Sequence, residues 1–202
     1  MKKEANAFLK AEQELLRFVK PRVHRKTLRE FEEILFIEFI SVTGGVFAGF
    51  LLANYLDKIA LIPGLLILFP GFLAMRGNIS GALAARIGAA LHLGLLQHRK
   101  HHYFLRANNL AAFFLGVAAS LFLGIVAYLG TLLFFHANAP SIILVALIAG
   151  IISNIILIPL TSTTALWLFK HGHDPDNIMG PYITTLGDIV SVAALIIAVL
   201  VV

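Results

Sequence analysis

The chain contains no cysteine, a single tryptophan and few charged residues. The absence of cysteine excludes disulfides and thiolate metal sites, so oxygen and imidazole groups remain as the ligands that could hold a metal ion. Charged residues make up 13% of the 202 residues, about half the usual share, whereas 59% are hydrophobic. A soluble core could not bury that much apolar surface. The composition therefore predicts an all-α polytopic membrane protein.

Motifs for catalysis are also missing. The sequence has no nucleotide-binding loop, no nucleophile elbow and no His-Glu-x-x-His pair. We therefore expect a protein that is not an enzyme. The net charge of +5 does not indicate a nucleic acid partner, because the basic residues lie in segments between long apolar runs.

Five apolar stretches follow the first 33 residues, and each is long enough to cross a hydrocarbon core of about 30 Å as a helix. They are Leu35–Tyr55, Ile59–Leu96, Leu110–Phe135, Ser141–Phe169 and Pro181–Val202. The second is too long for one straight span and contains Pro63, Pro70 and Gly71, which predicts a broken or steeply tilted helix. We therefore divide the chain into a basic segment, 1–33, and a five-span domain, 34–202.

The basic segment and the loops predict the topology. Nine lysines and arginines in residues 1–33 alternate with leucine and phenylalanine, a pattern typical of an amphipathic helix on the anionic lipids of the inner leaflet. With the N-terminus in the cytoplasm, the inner segments hold thirteen of the sixteen basic residues, and the outer segments hold only Lys58. The positive-inside rule therefore predicts a cytoplasmic N-terminus and an external C-terminus. We expect the plasma membrane as the location.

Asp188 is the most informative polar residue, because an ionisable group within a span is costly and usually functional. It lies about 10 Å along a helix from Pro181, and Thr184 and Ser191 fall on the same helical face. The backbone near Gly187 could add carbonyl oxygens. A strip of oxygen donors with one carboxylate suits a hard cation, and two copies facing each other would supply two carboxylates.

The other polar residues of the spans leave alternatives open. Asp188 could form a purely structural salt bridge with Arg76 or Arg86. Asn78 could line a pore, or it could form an interhelical hydrogen bond worth about 1 kcal/mol. Glu38 could attract cations to the inner mouth of a pore, or it could pair with a lysine.

Small residues favour association of two chains. Five helices can hardly enclose a polar pathway and still shield their polar groups from lipid, which makes a homodimer the simplest arrangement. The pairs Gly45 with Gly49 and Gly77 with Gly81 would allow helices to approach closely. These glycines could equally pack helices within one subunit.

Histidines fall into two groups that could bind a transition metal or could simply be solvated. The groups are His98, His101 and His102 in one loop, and His171 and His173 beside Asp174 and Asp176 in another.

Two stretches of the sequence resemble a known family. The stretch Phe69-Pro-Gly-Phe-Leu-Ala-Met-Arg-Gly-Asn, continuing to Arg86, resembles the proline and Gly-Asn signature of the MgtE and solute carrier family 41 magnesium transporters. Asp174-Pro-Asp-Asn, continuing to Asp188, is similar to their loop, which reads Asp-Pro-Asp-Asn or Asn-Pro-Asp-Asn, and to the final helix that bears their essential aspartate. The resemblance implies a five-helix unit that forms a pore, by homodimerisation in MgtE and by two fused repeats in the solute carriers. It also implies that Asp188 is the pore aspartate and that Asn78 is the asparagine of the Gly-Asn signature.

The resemblance fails at the N-terminus. MgtE proteins carry a large soluble domain and paired sensor domains, whereas a basic segment of about 33 residues precedes the first span of this chain. We therefore expect no gating by sensor domains of that kind.

These observations predict transport of Mg²⁺, with Mn²⁺ or Co²⁺ as alternative cargo, through the pore of a homodimer. The candidate cation-binding residues are Asp188, Thr184, Asn78, Gly187 and Glu38. A Na⁺- or H⁺-coupled Mg²⁺ exchanger and a non-transporting membrane scaffold are the alternatives.

Overall fold

The structure is a computed structural model that describes residues 2–60, 62–97 and 101–202, with side chains described from Thr27 onward except at positions 29, 97 and 101. Its helices are α1 (Lys2–Asn54), α2 (Leu56–Ala60), α3 (Leu65–His92), α4 (His101–Phe135), α5 (Ser141–Lys170) and α6 (Pro175–Val201). A short 3₁₀ turn, Leu95–Gln97, follows α3. No strand occurs within the described ranges, which confirms the predicted all-α fold.

Five helical segments are long and apolar enough to cross a membrane, in agreement with the prediction. They are Glu30–Asn54, Leu65–His92, His102–Phe135, Ser141–Lys170 and Pro175–Val201. The predicted beginning of the last span at Pro181 was wrong. Asp174 caps α6 by accepting a hydrogen bond from the backbone N–H of Asp176 at 3.0 Å, and Pro175 follows at the first helical position, where proline is well tolerated.

The long second stretch divides into α2 and α3, and the break lies beside Pro63. Gly64, directly before α3, has a φ of 79°, which is unfavourable for residues with a side chain. A Cβ at Gly64 would also overlap the Thr131 side chain, so packing requires glycine there as well. α3 then continues through Pro70 as one helix of 28 residues, about 42 Å long. This length exceeds that of the hydrocarbon core and favours the predicted tilt.

The helices α3 to α6 form a four-helix bundle. Each packs against its neighbour in sequence, α3 closes the ring against α6, and α3 also contacts α5. α1 packs on the outside of the bundle, against α6 and the short α2. Only 6% of the most apolar part of α1 is buried, compared with 50% for α5 and for α6. Most of the membrane-spanning part of α1 is therefore left for lipid or for another chain to cover.

The boundary predicted at residue 33 does not interrupt the backbone, since α1 is continuous from Lys2 to Asn54. The side chains of residues 1–26 lie outside those that the structure describes. The surface location of this segment, its contact with anionic lipid and the cytoplasmic position of the N-terminus stay predictions.

Buried apolar residues form two clusters along the bundle, separated by a polar level. The first cluster includes Phe72, Val145 and Leu195, and the second includes Leu83, Ile158 and Ile183. Between them in sequence lie the buried residues Arg76 of α3 and Asn154 of α5. Asp188 occupies the same interval of α6.

Candidate functional site

Asp188 lies near the middle of α6. The helix begins at Pro175, so Asp188 lies about 20 Å along α6 from its first residue. This distance is twice the one that was counted from Pro181. Its side chain is partly buried. The carboxylate forms no hydrogen bond and no ion pair with any residue that the structure describes. It is therefore available to a ligand.

The neighbours of Asp188 on α6 differ in environment. Thr184, one turn earlier, is exposed and donates its hydroxyl hydrogen to the Gly180 carbonyl oxygen at 3.0 Å. Apart from the adjoining residues and the nearby backbone of α6 itself, no described atom lies within 4 Å of the position that a Cβ on Gly187 would occupy. Ser191, in contrast, is fully buried. Seven residues are close to two full helical turns, so Ser191 remains on the helical face of Thr184. The strip of oxygen donors stays a prediction, with its exposed end at Thr184 and its buried end at Ser191.

Asn78 and Glu38 are both exposed. Within the described part of the chain, Asn78 forms no hydrogen bond that would give it a structural role, and Glu38 forms no ion pair. No hydrogen bond joins either residue to Asp188. The structure thus brings Thr184 and Asp188 together on one helix, and it leaves Asn78 and Glu38 as separate polar positions on α3 and α1.

Arg76 is not the partner of Asp188. Its Nη1 donates to Ser153 Oγ at 3.2 Å, to Asn154 Oδ1, and weakly to the Gly150 carbonyl oxygen at 3.5 Å, all on α5. Arg86 is exposed and forms no ion pair in the described ranges. The salt bridge that was the structural alternative for Asp188 is therefore not formed.

A second polar cluster lies where α3 ends and α6 begins. His92 Nε2 is 3.2 Å from Asp174 Oδ1 and 3.5 Å from Asp176 Oδ2. The sequence grouped these aspartates with His171 and His173, but the structure places His92 against them. His92 was missed because it is far away in sequence and meets the aspartates only when α3 packs against α6.

Among the histidines whose side chains the structure describes, no other joins this cluster. His171 is exposed, and its Nδ1 lies 2.8 Å from the Trp167 carbonyl oxygen. His102 and His173 are exposed. His98 and the side chain of His101 lie outside what the structure describes, so the predicted grouping of the first loop stays untested.

A comparison of the sequence with models of protein families identifies the family of this chain. The model of the MgtE family, described as a divalent cation transporter, matches residues 69–198. The chain belongs to the MgtE family. The matched region begins in α3 and ends in α6, and it includes both stretches that carry the resemblance. α1 lies before it.

Curated relatives are members of solute carrier family 41. Member 3 from Rattus norvegicus is 28% identical over 142 residues, which are 66% of this chain and 30% of the relative. Member 2 from Gallus gallus is 27% identical over 164 residues, 75% of this chain and 28% of the relative. Member 2 from Homo sapiens is 26% identical over 164 residues, with the same shares. The chain thus spans less than a third of the length of these relatives, and no solved structure matches it.

MgtE membership and five apolar helices together make this chain a multi-pass membrane protein of a divalent cation transporter family. The site positions predicted from sequence lie partly inside and partly outside the matched region. Asn78, Thr184, Gly187 and Asp188 fall within it, whereas Glu38 does not.

Proposed function

We propose that this protein transports Mg²⁺ across the membrane and that the ion passes the Asp188 carboxylate. The observation that carries the proposal is an unpaired carboxylate near the middle of a membrane-spanning helix. An ionised side chain in the hydrocarbon region is expensive unless it faces a partner or a water-filled path. Arg76 and Arg86, the charged candidates for a structural partner, do not contact it.

We further propose that the path forms between two copies of the chain. Asn78 and Thr184 are exposed, so in a single copy their polar groups would face lipid. Gly45, Gly77 and Gly81 have no neighbouring atom within 4 Å of an added Cβ, so they do not pack helices together within the subunit. A second copy could use these open small-residue surfaces for close helix contact. Two Asp188 carboxylates would then face one path.

The donors suit a hydrated hard cation. Carboxylate, hydroxyl, amide and carbonyl oxygens are the ligands that Mg²⁺ prefers, and Mg²⁺ releases its water reluctantly. A path that contacts the hydration shell therefore requires less energy than one that strips it. Such a path discriminates weakly among ions of similar size, so Mn²⁺ and Co²⁺ are expected as competing cargo. A cytoplasmic N-terminus and a plasma-membrane location remain part of the proposal.

The test is Mg²⁺ uptake into proteoliposomes that contain the purified protein and a Mg²⁺-sensitive dye. We expect uptake above that of empty liposomes, and we expect Asp188→Asn to lower it about tenfold or more, as loss of an ion-contacting charge should. Asp57→Asn is the matched control, because Asp57 is an exposed carboxylate on α2. Uptake by Asp188→Asn equal to that of the wild type, with the same elution volume, would remove Asp188 from the path.

Coupled exchange is the second candidate, and exposed Glu38 is the position that could hold a coupling ion. Uptake measured with and without a Na⁺ gradient, and with and without a pH gradient, separates the two. A channel should respond to neither gradient beyond the change in membrane potential. Gradient dependence that disappears in Glu38→Gln would favour the exchanger, and a complete absence of flux would favour a scaffold.

A further inference from the structure

We propose that His92, Asp174 and Asp176 form a binding site for a first-row transition-metal ion, separate from the path at Asp188. One ligand atom from each residue lies within 4.8 Å of the other two. Asp174 and Asp188 are about 20 Å apart along α6, so one ion could not contact both. The inference concerns metal binding and does not depend on the transport proposed above.

The distances between the ligand atoms fit a coordination sphere. Metal–nitrogen and metal–oxygen bonds of about 2.0–2.2 Å place neighbouring ligands about 3.0 Å apart in an octahedron and about 3.4 Å apart in a tetrahedron. The two distances from His92 Nε2, 3.2 Å to Asp174 and 3.5 Å to Asp176, lie at these values. An ion could therefore enter with small side-chain movements.

The three ligands are held by the packing of three helices. His92 lies in the last turn of α3, and its ring packs edge-on against the ring of Phe169 on α5, with centroids 5.8 Å apart. The Asp176 carboxylate lies over Gly88 of α3, where a Cβ would come within 2.5 Å of its Oδ1. Gly88 thus makes room for the carboxylate, and the contact fixes α6 against α3 at this level.

Hydrogen bonding alone explains the cluster poorly. Two carboxylates approach the same ring nitrogen, although a single N–H can donate one well-aligned bond. Two carboxylates at one place also repel each other unless a positive charge stands between them. A divalent ion bound by Nε2 and both carboxylates would supply that charge.

The ligand types indicate which ion is bound. Mg²⁺ selects oxygen ligands and keeps most of its water, whereas imidazole with carboxylates suits Zn²⁺, Co²⁺ or Mn²⁺. The site should therefore prefer a transition metal to the proposed cargo. Because its ligands come from α3 and α6, binding should also stabilise the contact between these helices.

The test is a titration of the tag-free, chelator-treated protein in detergent with Co²⁺, followed by visible absorption and thermal unfolding. We expect one Co²⁺ per chain, a rise in the unfolding temperature, displacement by Zn²⁺ and no displacement by millimolar Mg²⁺. His92→Ala and Asp176→Asn should weaken binding about tenfold or more. His173→Ala is the matched control, because His173 is exposed and adjoins Asp174 without joining the cluster, and it should bind as the wild type does.

Two results would overturn the proposal. One is a wild-type protein that binds no Co²⁺ or Zn²⁺ at millimolar concentration. The other is binding that survives both His92→Ala and Asp176→Asn, which would assign the ion to other histidines. Asp176→Asn keeps the side-chain size, and its elution volume and far-ultraviolet circular dichroism distinguish lost binding from lost fold.

Discussion

Arg76 is the largest fully buried side chain among the described residues, yet it has no acidic partner there. Its acceptors are neutral groups of α5, and its Nε and Nη2 have no hydrogen-bond partner in the described part of the chain. Asn154 extends the network to α4, because its amide donates to the Phe113 carbonyl oxygen at 3.3 Å. The buried charge therefore depends on a few neutral acceptors, and the loss of one of them should have a large effect.

This dependence predicts an asymmetry between two substitutions. Asn154→Leu removes an acceptor but leaves the buried guanidinium, and it should lower the free energy of unfolding by about 1–3 kcal/mol. Arg76→Met removes the charge and its desolvation penalty, and it leaves only neutral acceptors such as Asn154 Oδ1 without this donor. It should therefore cost less than Asn154→Leu. Unfolding of both variants and of the double variant in detergent measures the difference. If Arg76→Met destabilises as much as Asn154→Leu, the arginine contributes net stability and this reasoning is wrong.

Some residues of the site could be identified from the sequence, and others could not. Asp188 could be singled out from sequence because a carboxylate in an apolar run is costly wherever the helix packs, and its contact with the ion stays a prediction. The environment of Ser191 and the partners of Arg76 were not found, since both depend on how α6 and α3 turn within the bundle. His92 is the clearest case, because only the packing of two distant helix ends brings it to Asp174.

Among the helices, α1 and α3 carry small residues, such as Gly45 and Gly81, against which no side chain of another described helix packs. Gly81 of α3 has open space around it, whereas Gly44 of α1 is packed against Thr185 of α6, whose hydroxyl also lies 2.7 Å from Ser41 Oγ. Thus one glycine of α1 holds that helix on α6, while the α3 surface around Gly81 is free for another chain. A dimer that uses this surface would bring the two copies of α3 close together.

The absence of native cysteine allows a direct test of this surface. Gly81→Cys should give a covalent dimer when membranes are treated with a short bifunctional maleimide, because equivalent residues near a two-fold axis lie close together. Phe122→Cys is the control, since Phe122 is an exposed apolar residue of α4. We expect that control to remain monomeric. Cross-linking of Phe122→Cys without cross-linking of Gly81→Cys would place the interface on α4 instead.

The helix bounds show where prediction from sequence ended. Length and apolar composition are enough to predict a span, so all five were predicted, and Ser141 was placed correctly as the beginning of α5. α4 begins at His101 rather than Leu110 because a helix can continue past the hydrocarbon region into polar residues. The last span was predicted to begin at Pro181 because the helix start formed by the N-cap Asp174 and by Pro175 was overlooked.

In the molecule as a whole, Arg76, Asn154 and Asp188 lie in the interval between the two apolar clusters. The proposed path lies between two copies of the chain, so Asp188 would meet it at this middle level of each subunit. In the proposed dimer, two Asp188 carboxylates would attract a divalent ion without stripping its water, because their charge would act through the hydration shell.

Such a path predicts block by an ion that imitates hydrated Mg²⁺ and cannot lose its ligands. Cobalt(III) hexaammine has about the size of the hydrated ion, and its ammonia ligands donate hydrogen bonds to carboxylates as water does. We expect it to inhibit Mg²⁺ uptake into proteoliposomes and to compete with Mg²⁺. Asp188→Asn should weaken the block about tenfold or more, whereas Asp176→Asn, which changes the cluster at the end of α6, should leave it unchanged. The cobalt of this complex has no free coordination position, so it cannot form a metal–nitrogen bond to His92. Any inhibition must therefore arise from contacts of its ammonia ligands. Uptake that continues at a saturating concentration of the complex would show that Mg²⁺ sheds water before it reaches Asp188, and the path would then have to hold more direct ligands than this carboxylate.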